Sequence, residues 1–424
     1  MKKLFLYIVS LFIIVGCSDE IPEQKRPIQA KRAILAYLIA NNNLDTDIMN
    51  NVVWMYESLA KSQDSCSLAI YYKPSSSNNY INEAQILTFF TDGHGQINGQ
   101  PALEGNDITT SNVVGQALKY AAISGIATQA EVMQANLQAM TDMMPAESYG
   151  VIFGSHATSW MPATGTDIST FSFGYDGVER NSINIPEFAD VLETCFPGNL
   201  DFVLFDACMM QTAEVCYELR NATHYCIASV METPVDGFPY HLILNNLYQE
   251  DIDFDKLCED VITYNKKEKL WGTYAVVDCT QMDAFAAAVR EEITSKASLL
   301  ENLSLHSIQQ YGVDQFSYFS FDVADLIRQF NEGILPDSFQ QILNQTVLAK
   351  SCITNSNANP YGSVLRDEEK YCGIGMYIPD AANNPNWNAY YRSAISWYQA
   401  VWGNQFSIQK MYCKRNCAKK ESFL

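Results

Sequence analysis

Tyr149-Gly150-Val151-Ile152-Phe153-Gly154, running into Ser155-His156-Ala157, and Phe202-Val203-Leu204-Phe205, running into Asp206-Ala207-Cys208, are the stretches that decide how this chain folds. Short apolar runs bounded by small or polar residues read as buried strands of a parallel sheet. In an open α/β sheet, the loops at the carboxyl ends of the strands are where ligands and chemistry collect. A His leaving one strand end and a Cys leaving its neighbour would face each other across a shared crevice. A thiolate nucleophile and its base require that arrangement. Taken singly, neither residue says much: the chain has 12 cysteines, and a free Cys after an apolar run is usually a small buried hydrophobe. Their common topological place is the signal.

Outward from these two runs, further strands are predicted at 33–38, 67–72, 85–90, 225–230 and 272–277. Helices are predicted over 45–61, 111–123, 129–144, 185–194, 209–220, 240–248, 253–265 and 281–300. This alternation predicts an α/β fold, a mostly parallel sheet with helices on both faces. Beyond residue 300 helical periods dominate (322–331, 336–350 and 386–402), interrupted by a strand at 373–378. The expected organisation is an α/β domain over 33–300 and a mainly helical C-terminal subdomain over 301–424 with a basic tail. One competing histidine exists. Leu87-Thr88-Phe89-Phe90 leads into Thr91-Asp92-Gly93-His94-Gly95, but paired turn residues read more simply as a hairpin. His156, which follows a predicted helix as a βαβ unit would place it, is the preferred base.

The second run, with Met209-Met210 and Glu214-Val215-Cys216-Tyr217-Glu218-Leu219 after it, resembles the nucleophile block of the clostripain family of cysteine peptidases, in the caspase-like clan. Ala33 to Leu38 with Ala40 to Leu44, Ala228 to Pro234 with Asp236 to Tyr240, and Gly373 to Pro379 resemble other segments of that family, so the likeness spans roughly residues 33 to 403. It implies a caspase-like α/β/α sandwich, His156 and Cys208 as catalytic dyad, and an oxyanion hole from the backbone N–H groups of Ala157 and Cys208. It also implies that Asp206 and Asp236 line or support a pocket for a basic side chain, and that the chain cuts itself after a basic residue between His156 and Cys208. Arg180, before Asn181, is the only Lys or Arg in that interval, and the polar stretch Thr164 to Asn184 reads as an exposed loop. Some relatives respond to calcium, but no EF-hand loop is present, so no cofactor or metal is assigned. The family usually has Asp-His-Gly where this chain has Ser155-His156-Ala157. Alanine keeps the N–H donor and adds a methyl group.

Lys2-Lys3 and the apolar Leu4 to Val15, ending at Ile14-Val15-Gly16-Cys17, read as a signal peptide of residues 1–17. Gly before Cys17 resembles a bacterial lipobox, with Cys17 becoming the lipidated terminus. Residues 18–32 form a tether, and Ser18-Asp19-Glu20 resembles the export signal of surface lipoproteins. An outer-membrane lipoprotein, surface-exposed or periplasmic-facing, is therefore expected, held by lipid alone. The formal charge is −21, and loss of Lys2 and Lys3 takes it to −23. Such a surface repels nucleic acid and suits basic partners.

Asp206 argues for specificity on its own. It lies two residues before Cys208, which in a strand points both side chains the same way, and a carboxylate there would select a cation before the scissile bond. A structural carboxylate capping a turn is the competing reading. The expected activity is an endopeptidase cleaving after Arg or Lys. Two alternatives are a catalytically inactive peptide-binding lipoprotein of the same fold, suggested by Ser155 and Ala157, and a glycan-binding lipoprotein, suggested by anchoring and 12% aromatics.

Overall fold

In the computed structural model, residues 30–162, 173–300, 303–314, 317–354, 364–365, 367–379 and 385–403 are described. Cys17, residues 18–29 of the expected tether and the basic tail lie outside the described residues, and residues 30–32 already belong to the first strand. Side chains of β1 (Ala30–Ile39) alternate between two cores: Ala33, Leu35, Tyr37 and Ile39 enter one, Ile34, Ala36 and Leu38 the other. That period of two on a strand with no polar face marks a sheet covered on both sides.

The strands after β1 are β2 (Cys66–Lys73), β3 (Gln85–Thr91), β4 (Gln96–Ile97), β5 (Gln100–Pro101), β6 (Leu118–Ala121) and β7 (Ala146–Gly154). A hairpin of β8 (Phe173–Asp176) and β9 (Asn181–Ile183) precedes β10 (Leu200–Asp206), β11 (Tyr225–Ala228) and β12 (Thr273–Asp278). The later strands are β13 (Gln310–Asp314), β14 (Ser317–Asp322), β15 (Val347–Cys352) and β16 (Gly375–Met376). The large sheet runs β15-β12-β11-β10-β7-β1-β2-β3-β4-β5, with β6 also on β3. Its centre, β11-β10-β7-β1-β2, is parallel. Its flanks are antiparallel, so the sheet is mixed where a mostly parallel one was expected.

One face is covered by α1 (Asp45–Ala60), α2 (Thr110–Gln116), α6 (Tyr240–Leu247) and α7 (Phe254–Glu268). The other carries α3 (Ala130–Met143), α4 (Ile185–Cys195), α5 (Ala213–Glu218), α8 (Met282–Ser295), α9 (Ala297–Leu300), α10 (Val323–Phe330), α11 (Asp337–Thr346) and α12 (Pro385–Ala394). The join between β7 and β10 is tight. A Cβ on Gly150 would sit 2.1 Å from the Phe202 ring of the facing strand, so only glycine fits.

Several predicted boundaries move. The helix expected over 111–123 stops at Gln116, because Ala117 turns extended and Leu118–Ala121 pairs with β3. The helix expected over 336–350 ends at Thr346, and β15 then joins the main sheet beside β12. The chain past residue 300 therefore also completes the sheet, its helices interleaved with the short strands β13 to β16. The expected strand 373–378 pairs only at Gly375–Met376. The nine described cysteines are all free thiols.

Candidate active site

Because β1, β7, β10 and β11 are parallel, the loops at their carboxyl ends meet on one edge of the sheet. Asn43 follows β1, His156 follows β7, Cys208 follows β10, and Glu232 to Gly237 follow β11. Side chains from all four loops line a cavity of about 250 Å³. His156 and Cys208 share it, as do Asp206 and Glu232, and no Lys or Arg is among its described lining residues. His94 lies elsewhere. β3 runs antiparallel to β2, so its end faces the opposite edge, and His94 is exposed in the turn between β3 and β4.

His156 is held through Nε2, 2.9 Å from Oδ1 of Asn43. A carboxamide oxygen only accepts, so Nε2 carries the proton and Nδ1 keeps its lone pair. Burial lowers the basicity of the ring, and the Arg180 guanidinium lowers it further. The ring also packs on Tyr175, 5.4 Å between centroids. The Asn-rich loop braces this region throughout. Asn42 donates to the carbonyls of Ile39 and Tyr175, each at 2.9 Å, and Asn41 to Asp176 at 2.7 Å. Ser155 is buried and structural. Its hydroxyl donates to the Ile39 carbonyl at 3.0 Å and accepts from the Tyr175 N–H at 3.1 Å.

Cys208 is half-buried, with Sγ 4.0 Å from the Thr233 carbonyl. Burial pushes its thiol up to about 12, and the carboxylates of Glu232 and Asp206 push the same way. Burial thus disfavours charge on both the thiol and the imidazole. The helix expected from residue 209 begins only at Ala213, after Met209 at φ +62° and the cap Thr212.

Asp206 is anchored by one oxygen: Oδ2 accepts from the Tyr240 hydroxyl at 2.8 Å and from the Phe238 N–H at 3.3 Å. Burial raises its carboxyl to about 6. A Cβ on Gly237, at φ +70°, would lie 2.5 Å from that Oδ2, so glycine is what lets the loop close over the carboxylate. Asp236 is half-buried and not among the residues lining the cavity; its carbonyl accepts from Asn51 at 2.7 Å. Glu232, which the sequence reading did not assign to the site, is among the lining residues. Ala157 is buried in a β-bridge with Phe173. Among the described residues no protein acceptor takes the N–H of Ala157 or of Cys208.

Arg180 ends the turn of the β8–β9 hairpin with φ +56°, and its Nε donates to the Tyr175 hydroxyl at 3.0 Å. Asn181 starts β9 and donates to the Asp176 carbonyl at 3.1 Å. Within the described part, the stretch expected to be an open loop is therefore a hydrogen-bonded hairpin against the His156 ring. Among the described residues no group of three His, Cys, Asp or Glu side chains could hold a metal ion.

A thiol and an imidazole at adjacent parallel strand ends of such a sheet define a class, the α/β cysteine peptidases. The chain belongs to the clostripain family (peptidase C11), whose model matches residues 36–407. Among solved structures it is similar to a secreted C11 cysteine protease from Bacteroides thetaiotaomicron in complex with an irreversible peptide inhibitor (23% identity, 88% of this chain and 99% of that one, TM-score 0.68). It is also similar to an inactive zymogen C11 protease from Parabacteroides distasonis (24% identity, 88% and 99%, TM-score 0.67). At these identities the likeness speaks for the fold. No curated protein matches the sequence.

Proposed function

We propose that the chain is an exported cysteine endopeptidase that cleaves after Arg or Lys. The observation that carries this reading is the cavity in which Cys208, His156, Asp206 and Glu232 meet with no lining cation among the described residues. As the Cys208 sulfur attacks the scissile carbonyl carbon, its proton passes to Nδ1 of His156. The oxyanion is received by the N–H groups of Ala157 and Cys208. Collapse breaks the C–N bond, the imidazolium gives its proton to the leaving amine, and a thioester remains. Water, deprotonated by His156, then releases the new carboxyl and restores the thiol. Asp206 and Glu232 receive the cationic side chain before the scissile bond through charge-assisted hydrogen bonds.

The test compares Arg-, Lys-, Leu- and Asp-ended fluorogenic peptides on wild type, Cys208→Ala and His156→Ala. Cleavage after Arg and Lys that both variants lose is expected; a preference for Leu or Asp, or persistent cleavage by Cys208→Ala, overturns the reading. Labelling of Cys208 by a basic acyloxymethyl ketone separates the enzyme from an inactive peptide binder. Self-cutting at Arg180-Asn181 belongs to the same proposal, since Arg180 already lies beside the site. Active protein should resolve into two associated fragments, one starting at Asn181, and Arg180→Ala should stay whole. Lipidation at Cys17 places the enzyme on the outer membrane, to be read from the mass of the mature N-terminus.

A further inference from the structure

The loops after β7 and β10 carry the base and the nucleophile, yet each is tied mainly to a different neighbour. The His156 carbonyl accepts from the N–H of Gly174 in β8 at 2.9 Å. The Cys208 loop is held to the loop after β11, with Met209 N–H on the Met231 carbonyl and Gln211 N–H on the Ser229 carbonyl, both at 3.0 Å. The ladder between β7 and β10 ends on the Ser155 N–H and the Asp206 carbonyl at 3.4 Å, and past that bond the relative placement of sulfur and imidazole is left to whatever joins the two loops. Three residues past His156, Ser159 turns its hydroxyl to that of Thr212, four past Cys208, at 2.7 Å. Both residues are fully buried.

Two further features show that this contact is built. Ser159 sits at φ +58°, a left-handed conformation that costs a side-chain-bearing residue energy and persists where the surroundings impose it. Thr212 is itself fixed: its hydroxyl accepts from the Val215 N–H at 3.5 Å, capping α5, and its backbone bridges Gly375. Beyond it, Glu214 accepts from the Tyr377 N–H at 2.8 Å and the Tyr391 hydroxyl at 2.9 Å. Trp160, next to Ser159, packs on the same two tyrosines at 4.9 and 4.7 Å. The C-terminal segment thus grips both loops, and the hydroxyl pair is a direct crossing between them.

We infer that Ser159 and Thr212 are positioning residues, whose hydroxyl–hydroxyl hydrogen bond sets the His156–Cys208 geometry. The inference rests on the dyad reading above. A displacement of about 1 Å between reacting groups costs as much as 100-fold in rate, so loss of the bridge should act on the chemical step and spare substrate binding.

The experiment uses the full chain and the variants Ser159→Ala, Ser159→Gly, Thr212→Val, Thr212→Ser and the double Ser159→Ala/Thr212→Val, with His156→Ala as reference. Three quantities are read: kcat and KM on an Arg-ended peptide, Tm, and the pH profile of iodoacetamide alkylation at Cys208, followed by mass spectrometry of its peptide. Ser159→Ala and Thr212→Val are expected to lose about tenfold in kcat with KM within about twofold, and to shift the alkylation profile toward that of His156→Ala. The double variant should fall no further than the worse single one, as coupled partners do. Thr212→Ser, which keeps the hydroxyl, should retain wild-type kcat. Ser159→Gly is decisive: it relieves the left-handed strain but lacks the hydroxyl, so Tm should hold while kcat falls. If rates instead follow Tm across the series, or the two single losses multiply, the inference is overturned. A profile that His156→Ala shifts and the bridge variants do not overturns the inference alone. One that His156→Ala leaves unchanged overturns the dyad reading and the inference with it.

Discussion

Asp206 carries a charge in a place that resists charge, and this sets two opposed consequences of one residue. Burial lifts its carboxyl from 3.8 to about 6. The folded state therefore holds the proton more tightly than the unfolded chain, so this group's stabilising contribution is full below pH 3.8 and is lost as pH rises to about 6. Asp206→Asn should raise the unfolding free energy at pH 7 by about 1–3 kcal/mol, read by urea denaturation. The same variant should lose the preference for Arg over Leu, because the cation loses its partner. In wild type, kcat/KM on Arg peptides should fall as pH drops below about 6 and Asp206 is neutralised. Asn43 makes a second residue-scale case. It fixes the imidazole tautomer through Nε2, so Asn43→Ala should lower kcat about tenfold or more with little change in Tm. An unchanged kcat would show that the ring needs no such anchor.

At the scale of the element, α5 is too short to act through its dipole and is instead a strut. Glu214 is fully buried on it and holds Tyr377 and Tyr391, and Glu218 holds the N–H and hydroxyl of Ser396. Burial raises the Glu214 carboxyl from 4.5 to about 7. Its linkage has the same sign as that of Asp206: stability is present below pH 4.5 and is lost as pH climbs through about 7. Glu214→Gln should therefore flatten the decline of Tm between those pH values, measured by calorimetry. A variant curve parallel to wild type would mean that the carboxyl does not titrate in the fold. Helix α11 shows why periodicity overran one boundary of the late chain. Val347 to Cys352 continues the pattern of the helix, but these residues meet the open edge of β12 and pair with it.

For the whole molecule, that pairing makes residue 300 a poor place to cut. β15 covers the edge of β12, and Phe285 of α8 packs on Phe339 and Trp397 at 5.9 and 6.1 Å. A fragment of residues 30–300 would expose an unpaired edge and an apolar helix face. It should be insoluble or lack a cooperative transition by circular dichroism, whereas a soluble fragment that melts cooperatively would establish an independent catalytic domain. Among the described residues no helix is long and apolar enough to cross a membrane.

The amino-acid order alone determined the central strands, their burial on both faces, and that His156 and Cys208 leave neighbouring strand ends on one edge. Those properties are local: an apolar run of strand length cannot be solvated, and a parallel strand must deliver its carboxyl-end loop to the common edge. What only the tertiary structure decided is which partner each polar group meets. Asn43 on His156, Glu232 in the cavity lining, the hydroxyl bridge from Ser159 to Thr212, and the burial that raises the Cys208 thiol all join segments far apart in the chain. Hydrogen bonds and desolvation act over a few ångströms of space, and spacing along the sequence does not encode them.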